Sequence, residues 1–134
     1  MDSINLNFSA FEKFMSCSLR NAWIDFEDIS IYFRKSSRYF DHQLYSTLDI
    51  ASIQSVEEGQ GIWTKFIHLL KEHPSVLNFK YLYVESVLSP RFANWFRKND
   101  WLEIKKVYID ECPCFYITTT DFVKSVVNDL LSDI

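Results

Sequence analysis

Glycine is scarce in this chain, and its placement is the first chemical clue. Only two glycines occur, Gly59 and Gly61, both in the loop Val56-Glu57-Glu58-Gly59-Gln60-Gly61. An average chain of this size carries about nine. Every other turn must therefore manage without one, and this loop calls for positive φ or a close approach of the backbone to a partner. A strand pattern runs into the loop from about Leu44 to Ser55. After it, Ile62, Trp63, Phe66, Ile67, Leu69 and Leu70 repeat at helical spacing. A strand, a glycine loop and a helix in that order make an anion site. Unpaired N–H groups point out of the first helical turn, and the helix dipole adds partial positive charge. Glycine lets the anion's oxygens approach without meeting a Cβ. Two common nucleotide loops are absent. Gly59 and Gly61 are too close for G-x-x-x-x-G-K-S/T, and Thr64 stands where G-x-G-x-x-G needs its third glycine.

Two carboxylates could do proton chemistry. Asp49 and Glu85 each lie on a segment that reads as a strand rich in apolar residues, where an ionised group needs a reason. A general base is one reason; a solvent-facing position or an arginine partner is the other. Glu57 is a third, weaker candidate. The three cysteines, Cys17, Cys112 and Cys114, include a C-x-C pair. With His42, His68 and His73 at no recognisable ligand spacing, free thiols are expected and no metal.

The elements that must position these groups follow from periodicity. A helix with Ser9 as N-cap is expected over Ser9 to Leu19, then a strand over Ile29 to Phe33. A polar turn near Ser36 to Gln43 leads to the strand ending at Ser55. The helix after Gly61 stops at His73-Pro74, and Phe79 to Val87 forms another strand. Ser89-Pro90 supplies an N-cap and first-turn proline for a helix over Pro90 to Lys98. Strands follow at Trp101 to Asp110 and Phe115 to Thr119. Thr120 or Asp121 would cap a closing helix bearing Phe122, Val123, Val126, Val127, Leu130 and Leu131. With no linker or repeat, residues 1–134 are expected to form one α/β (α+β) domain.

At this point the residues resemble a family. Glu58-Gly59-Gln60-Gly61-Ile62-Trp63-Thr64-Lys65-Phe66 is similar to the pyrophosphate loop of the GNAT superfamily, the acyl-CoA-dependent N-acetyltransferases, whose usual form is Q/R-x-x-G-x-G/A. Gly61 matches the central glycine, while Glu58 stands for Gln or Arg and Trp63 for Gly or Ala. Ser89-Pro90-Arg91-Phe92-Ala93-Asn94-Trp95-Phe96-Arg97-Lys98-Asn99-Asp100-Trp101 resembles the family's later helix and the strand after it. There Asp100 takes the usual Gly, Phe96 the usual Tyr and Ser89 the usual Asn. The likeness runs from about Tyr45 to Tyr116.

The resemblance implies a mixed, mostly antiparallel central sheet flanked by helices, and acetyl transfer from acetyl-CoA to a primary amine by direct attack. It implies that the backbone of Ile53, Gln54 and Ser55 polarises the thioester. The pyrophosphate would be held by Glu58, Gly59, Gln60, Gly61, Ile62, Trp63 and Thr64, with Ser89 and Phe96 also lining the cofactor. Asp49 and Glu85 are then the best-placed bases. Phe96 has no proton for the leaving thiolate, so Tyr83, Tyr116 or a water would have to give it. The alternative is a degenerate GNAT fold that binds acyl-CoA or works as a protein-interaction module.

Composition sets the outer bounds. The chain has 134 residues, 48% of them hydrophobic, with 12 Phe, 7 Tyr and 4 Trp, so it can bury a core and is not disordered. A net charge of −4 argues against general nucleic-acid affinity. Basic clusters at Arg34, Lys35 and Arg38, and at Arg91, Arg97, Lys98, Lys105 and Lys106, read as solvated faces. No apolar run reaches the length of a membrane span, and the first residues lack the pattern of a secretion signal. The expectation is a cytoplasmic domain whose partners are acetyl-CoA and an amine-bearing small molecule or protein. Its aromatic content suits a homodimer patch as well as a core.

Overall fold

A computed structural model describes residues 4–55, 61–85, 87, 89–104 and 112–125. Helix α1 (Ser9–Ser16) precedes strands β1 (Asn21–Asp25), β2 (Ile29–Phe40) and β3 (Gln43–Ser55). Helix α2 (Ile62–Leu70) and a 3-10 turn (Pro74–Asn78) lead to β4 (Tyr81–Val84) and α3 (Pro90–Lys98). Strands β5 (Leu102–Ile104) and β6 (Cys114–Thr118) and helix α4 (Thr119–Lys124) complete the described elements. The sheet runs β1-β2-β3-β4-β6-β5 and is antiparallel except where β3 and β4 lie parallel. This is the mixed, mostly antiparallel α+β architecture expected.

Strict alternation divides the sheet into two unlike faces. Ile31 and Phe33 of β2, Leu48 and Ile50 of β3, Leu82 and Val84 of β4, and Phe115 and Ile117 of β6 are all buried. The helices cover this face: Phe11 of α1 meets Phe33 at 5.3 Å and Phe96 of α3 stacks on Phe115 at 4.9 Å. Phe66 of α2 joins through Phe26 at 4.9 Å. Each such ring contributes about 1.5–3 kcal/mol of burial energy. The opposite face carries charged residues and a group of aromatics, Phe40, Tyr81, Tyr83 and Tyr116.

Several element ends differ from the sequence expectation. Strand β2 runs on to Phe40, so the turn is Asp41-His42 and not Ser36 to Gln43. Both turn residues have positive φ, 51° and 67°, the backbone of a type I′ hairpin, normally marked by Asn-Gly. Without glycine the signal is lost, and the polar stretch Lys35-Ser36-Ser37-Arg38 looks like a loop. Strand β1 was not expected at all; it is a short edge strand with only Ile24 buried. Ser9 is the first residue of α1, not its cap: its N and Oγ donate to Asn7 Oδ1 at 2.9 and 2.7 Å. At the other end, α1 stops at Ser16, and Lys35 Nζ donates to the carbonyls of Phe14 and Cys17 at 2.6 and 2.8 Å, satisfying its last turn. Strand β4 is shorter than Phe79 to Val87. Thr118 caps α4, accepting from the Asp121 N–H at 3.1 Å. The expected strand beyond Ile104, and Val126, Val127, Leu130 and Leu131, lie outside the described residues.

Helix α3 follows its sequence signals in full. Ser89 Oγ accepts from the Phe92 N–H at 3.2 Å, and Pro90 opens the helix. At its end Asp100 takes φ 64°, the left-handed geometry for which glycine is the usual residue. The Asp100 N–H donates to Arg97 O at 3.4 Å and the Trp101 N–H to Phe96 O at 3.1 Å. These two bonds form a Schellman closure, and the Trp101 and Phe96 rings, 5.0 Å apart, supply its apolar contact.

Candidate functional site

The point where β3 and β4 part company organises the site. Their parallel ladder runs from Thr47↔Tyr81 to Ile50↔Val84, and its last bond is the Glu85 N–H to Ile50 O at 3.1 Å. Beyond it β3 continues to Ser55, paired only with β2 through Ser52↔Tyr32, Ile53↔Ile31, Gln54↔Ser30 and Ser55↔Ile29. Ala51 has no partner in that register, a bulge at the fork itself. From Ala51 to Ser55 the backbone edge turned from β2 is therefore unclaimed by any described strand. Ile53 is half-buried and Gln54 exposed.

Helix α2 starts after this edge. Gly61 is its N-cap at φ 73°, a conformation that costs a residue with a Cβ about 1–2 kcal/mol. Among the described residues no side chain caps the helix, and the first backbone bond shown is Lys65 N–H to Gly61 O at 3.1 Å. Ile62, Trp63 and Thr64 are the first-turn residues, whose N–H groups precede that bond. Thr64 is buried, yet its Oγ1 has no hydrogen-bond partner among the described residues. The Trp63 ring turns into the core, 5.5 Å from Phe66 and 5.2 Å from Phe92. Glu57, Glu58, Gly59 and Gln60 lie outside the described residues.

Asp49 and Glu85 come together on the face away from the helices, and two arginines join them. Cross-strand register places Arg34 opposite Asp49, and Asp49 beside Tyr83. Asp49 is fully buried. It accepts from Thr47 Oγ1 at 2.7 Å and from Arg38 Nη2 and Nε at 2.8 and 3.4 Å, with Arg34 Nη1 3.8 Å away. Glu85 Oε1 accepts from Arg34 Nη1 at 2.6 Å and Arg38 Nη2 at 2.7 Å. The Glu85 side chain remains 26% exposed, so it forms the solvent-facing end of the network. A buried carboxylate with no such partners would cost several kcal/mol.

The Arg38 guanidinium also lies 3.8 Å above the Tyr83 ring. Burial pulls the Arg38 pKa down, but the hydrogen bond and charge of Asp49, with Tyr83 and Glu85, outweigh it and hold it above the ordinary value. Burial, then the neighbouring Cys114 thiol, pushes the Tyr83 phenol well above its usual range, Arg38 opposing. Tyr116 stands opposite Tyr83 on β6 and packs with Phe40 at 4.6 Å; Phe40 in turn meets Tyr81 at 4.5 Å. These aromatics flank the ionic cluster on one side.

The remaining expected site residues lie elsewhere. Ser89 spends its hydroxyl on the α3 cap. Phe96 has no exposure, enclosed by Phe92, Trp95, Trp101 and Phe115 at 4.9–5.2 Å. Among the described residues, no three His, Cys, Asp or Glu side chains group as metal ligands, and no helix is long and apolar enough to cross a membrane. The residues missed from sequence are Arg34, Arg38 and Thr47. Their signal was alternation: Arg34, Ser36 and Arg38 share one face once β2 is extended, and Thr47 shares a face with Asp49.

No family model and no curated protein matches this chain. Among solved structures it is similar to a Tyr-to-Phe mutant of the toxin AtaT bound to the C-terminus of the antitoxin AtaR and acetyl-CoA. The TM-score is 0.51 at 9% identity, covering 70% of this chain and 60% of that one. The chain thus spans about 60% of the toxin chain's length. At this identity the likeness is one of fold, and the fold is GNAT-like.

Proposed function

We propose that this chain is an acetyl-CoA-dependent N-acetyltransferase that acts on a primary amine, whether a protein lysine, an N-terminus or a small amine. The observation that carries the reading is the fork. Two parallel strands part after Ile50 and Val84, an unclaimed β3 edge follows, and a helix capped by left-handed Gly61 opens after it. Acetyl-CoA fits the donors present: the Gly61 backbone offers a cradle that a Cβ would fill, and the buried Thr64 hydroxyl has no partner among the described residues. The neighbouring AtaT structure, which has acetyl-CoA bound, supports the same reading.

In this proposal the backbone of Gly61 to Thr64, with Glu58, Gly59 and Gln60, holds the pyrophosphate. The β3 edge at Ile53, Gln54 and Ser55 orients the pantetheine end. Bound acetyl-CoA supplies an activated thioester carbonyl. Glu85 supplies the carboxylate that receives the amine's proton through its exposed end, and Asp49 is held behind it through Arg38. Tyr83 and Tyr116 are the hydroxyls on that face of the sheet able to replace the acid absent at Phe96. The unit is a single domain over residues 1–134, working in the cytoplasm without nucleic acid or membrane, alone or as a homodimer.

A second reading is a GNAT fold that binds acyl-CoA or a protein without turnover. Full burial of Phe96, at the family's tyrosine position, favours it. So does the protein partner of the AtaT neighbour. Gly61→Asn separates the readings from a misassigned fold. Asparagine tolerates positive φ but places a side chain over the cradle, so acetyl-CoA binding should be lost while circular dichroism stays unchanged. Undiminished affinity would remove the pyrophosphate assignment. Binding by the parent chain without thiol release, in the presence of amines, would leave the second reading standing.

A further inference from the structure

We infer that Arg38 is the positioning residue of this site, joining its two carboxylates into one unit; this rests on the reading above. Register alone would not place it there. Arg38 pairs across the strands with Tyr45, four pairs along the ladder from Asp49, whose own partner is Arg34. Arg34 nevertheless stays 3.8 Å from Asp49 and bonds Glu85. Arg38 reaches diagonally, and its Nη2 bonds Asp49 Oδ2 at 2.8 Å and Glu85 Oε1 at 2.7 Å. Its fork adds Nε to Asp49 Oδ1 at 3.4 Å, and the Tyr83 ring beneath fixes its plane at 3.8 Å. It is the one described side chain shown hydrogen-bonded to both carboxylates.

The two carboxylates differ in kind because of this. Asp49 is sealed, with Thr47 and Arg38 as its hydrogen-bonding partners, so it touches nothing that enters from solvent. Glu85 sits at the fork with one oxygen, Oε1, held by both arginines. Asp49 therefore anchors Arg38, Arg38 aims Glu85, and Glu85 meets the acceptor. A planar fork is needed for this bridging, and a lysine ammonium can replace its charge but not its geometry.

The test compares wild type, Arg38→Lys and Arg38→Met in the full chain. The carboxyl carbons of Asp49 and Glu85 are followed by 13C NMR at neutral pH, acetyl-CoA affinity by calorimetry, and thiol release with spermidine and a lysine-containing peptide. Both carboxyl signals should shift in each variant. With acetyl-CoA affinity changed less than about threefold, kcat should fall by up to about 100-fold in Arg38→Met, the scale that a misplacement of about 1 Å can reach. Arg38→Lys should recover only part of that loss. Unmoved signals for both carboxyls, or a kcat equal to wild type in Arg38→Met, would overturn the inference. Wild type that binds no acetyl-CoA would instead overturn the functional reading, and the carboxyl signals would still decide whether Arg38 positions the pair. Should Arg38→Met fail to fold, Arg38→Lys carries the same comparison.

Discussion

Placing a tyrosine at Phe96, where the sequence resemblance expects one, is the perturbation that bears most directly on this part of the core. In the structure that ring has no exposed surface. It stacks on Phe115 at 4.9 Å with 13° between planes, and meets Trp95 and Trp101 edge-on at 5.2 and 5.0 Å. The Phe96→Tyr hydroxyl would be buried in this cluster. An unpaired buried hydroxyl costs about 1–3 kcal/mol, and overpacking a filled core adds about 1–3 kcal/mol. Trp63 Nε1 and Trp95 Nε1 are buried without a hydrogen-bond partner among the described residues, and a hydroxyl accepting from either would lower the sum. A net loss of about 2–4 kcal/mol is expected. For 134 residues the unfolding entropy is about 0.28 kcal/mol/K, which converts that loss to a Tm about 7–14 °C lower. Circular dichroism melts measure it, and thiol release from acetyl-CoA reports any gain in rate. An unchanged Tm with a new phenol ionising in the ordinary tyrosine range would refute this account. It would mean that the position faces solvent or the cofactor path.

Other substitutions probe the frame around the site. Asp100→Gly should raise Tm by about 3–4 °C, since relief of left-handed strain is worth about 1 kcal/mol; melts on the two proteins check it. Thr47→Val removes the hydroxyl that donates to Asp49 at 2.7 Å and should cost about 1.5–3 kcal/mol in urea unfolding, the range for a hydrogen bond to a charged group. The Tyr83 phenol is raised in the folded state, so its contribution is fully present below the unfolded value near 10 and is lost as pH rises above it. Stability of the wild type should accordingly fall more steeply above pH 10 than that of Tyr83→Phe, by at most about 1.4 kcal/mol per pH unit. Parallel slopes for the two proteins would contradict that assignment.

What the sequence disclosed, and what it concealed, follows from how each feature is encoded. Helix α3 was legible because Ser89-Pro90 is a local start signal, while the left-handed turn at Asp100 that closes it carries no glycine to announce it. The two carboxylates were legible because charge on an apolar strand is anomalous in one dimension. Their partners were not, since the arginine pair depends on a strand pairing set by Asp41-His42, a turn that takes positive φ without glycine. The same economy hid the length of β2. Glu27, at φ 86°, is another left-handed residue that no glycine announces. Phe96 was identified by counting along the helix, but counting gives no direction. Whether a ring faces the core or a ligand is decided by packing against Trp101 and Phe115, which lie on other elements.

The central claim is that the fork between β3 and β4, with the Gly61-capped helix, is an acyl-CoA site. Calorimetric titration of the folded protein with acetyl-CoA, alongside dephospho-CoA and ATP, tests it most directly. The account predicts saturable 1:1 binding of acetyl-CoA that ATP does not reproduce. No heat at millimolar acetyl-CoA, from a protein whose circular dichroism shows it folded, would contradict it and leave the likeness to AtaT one of fold alone.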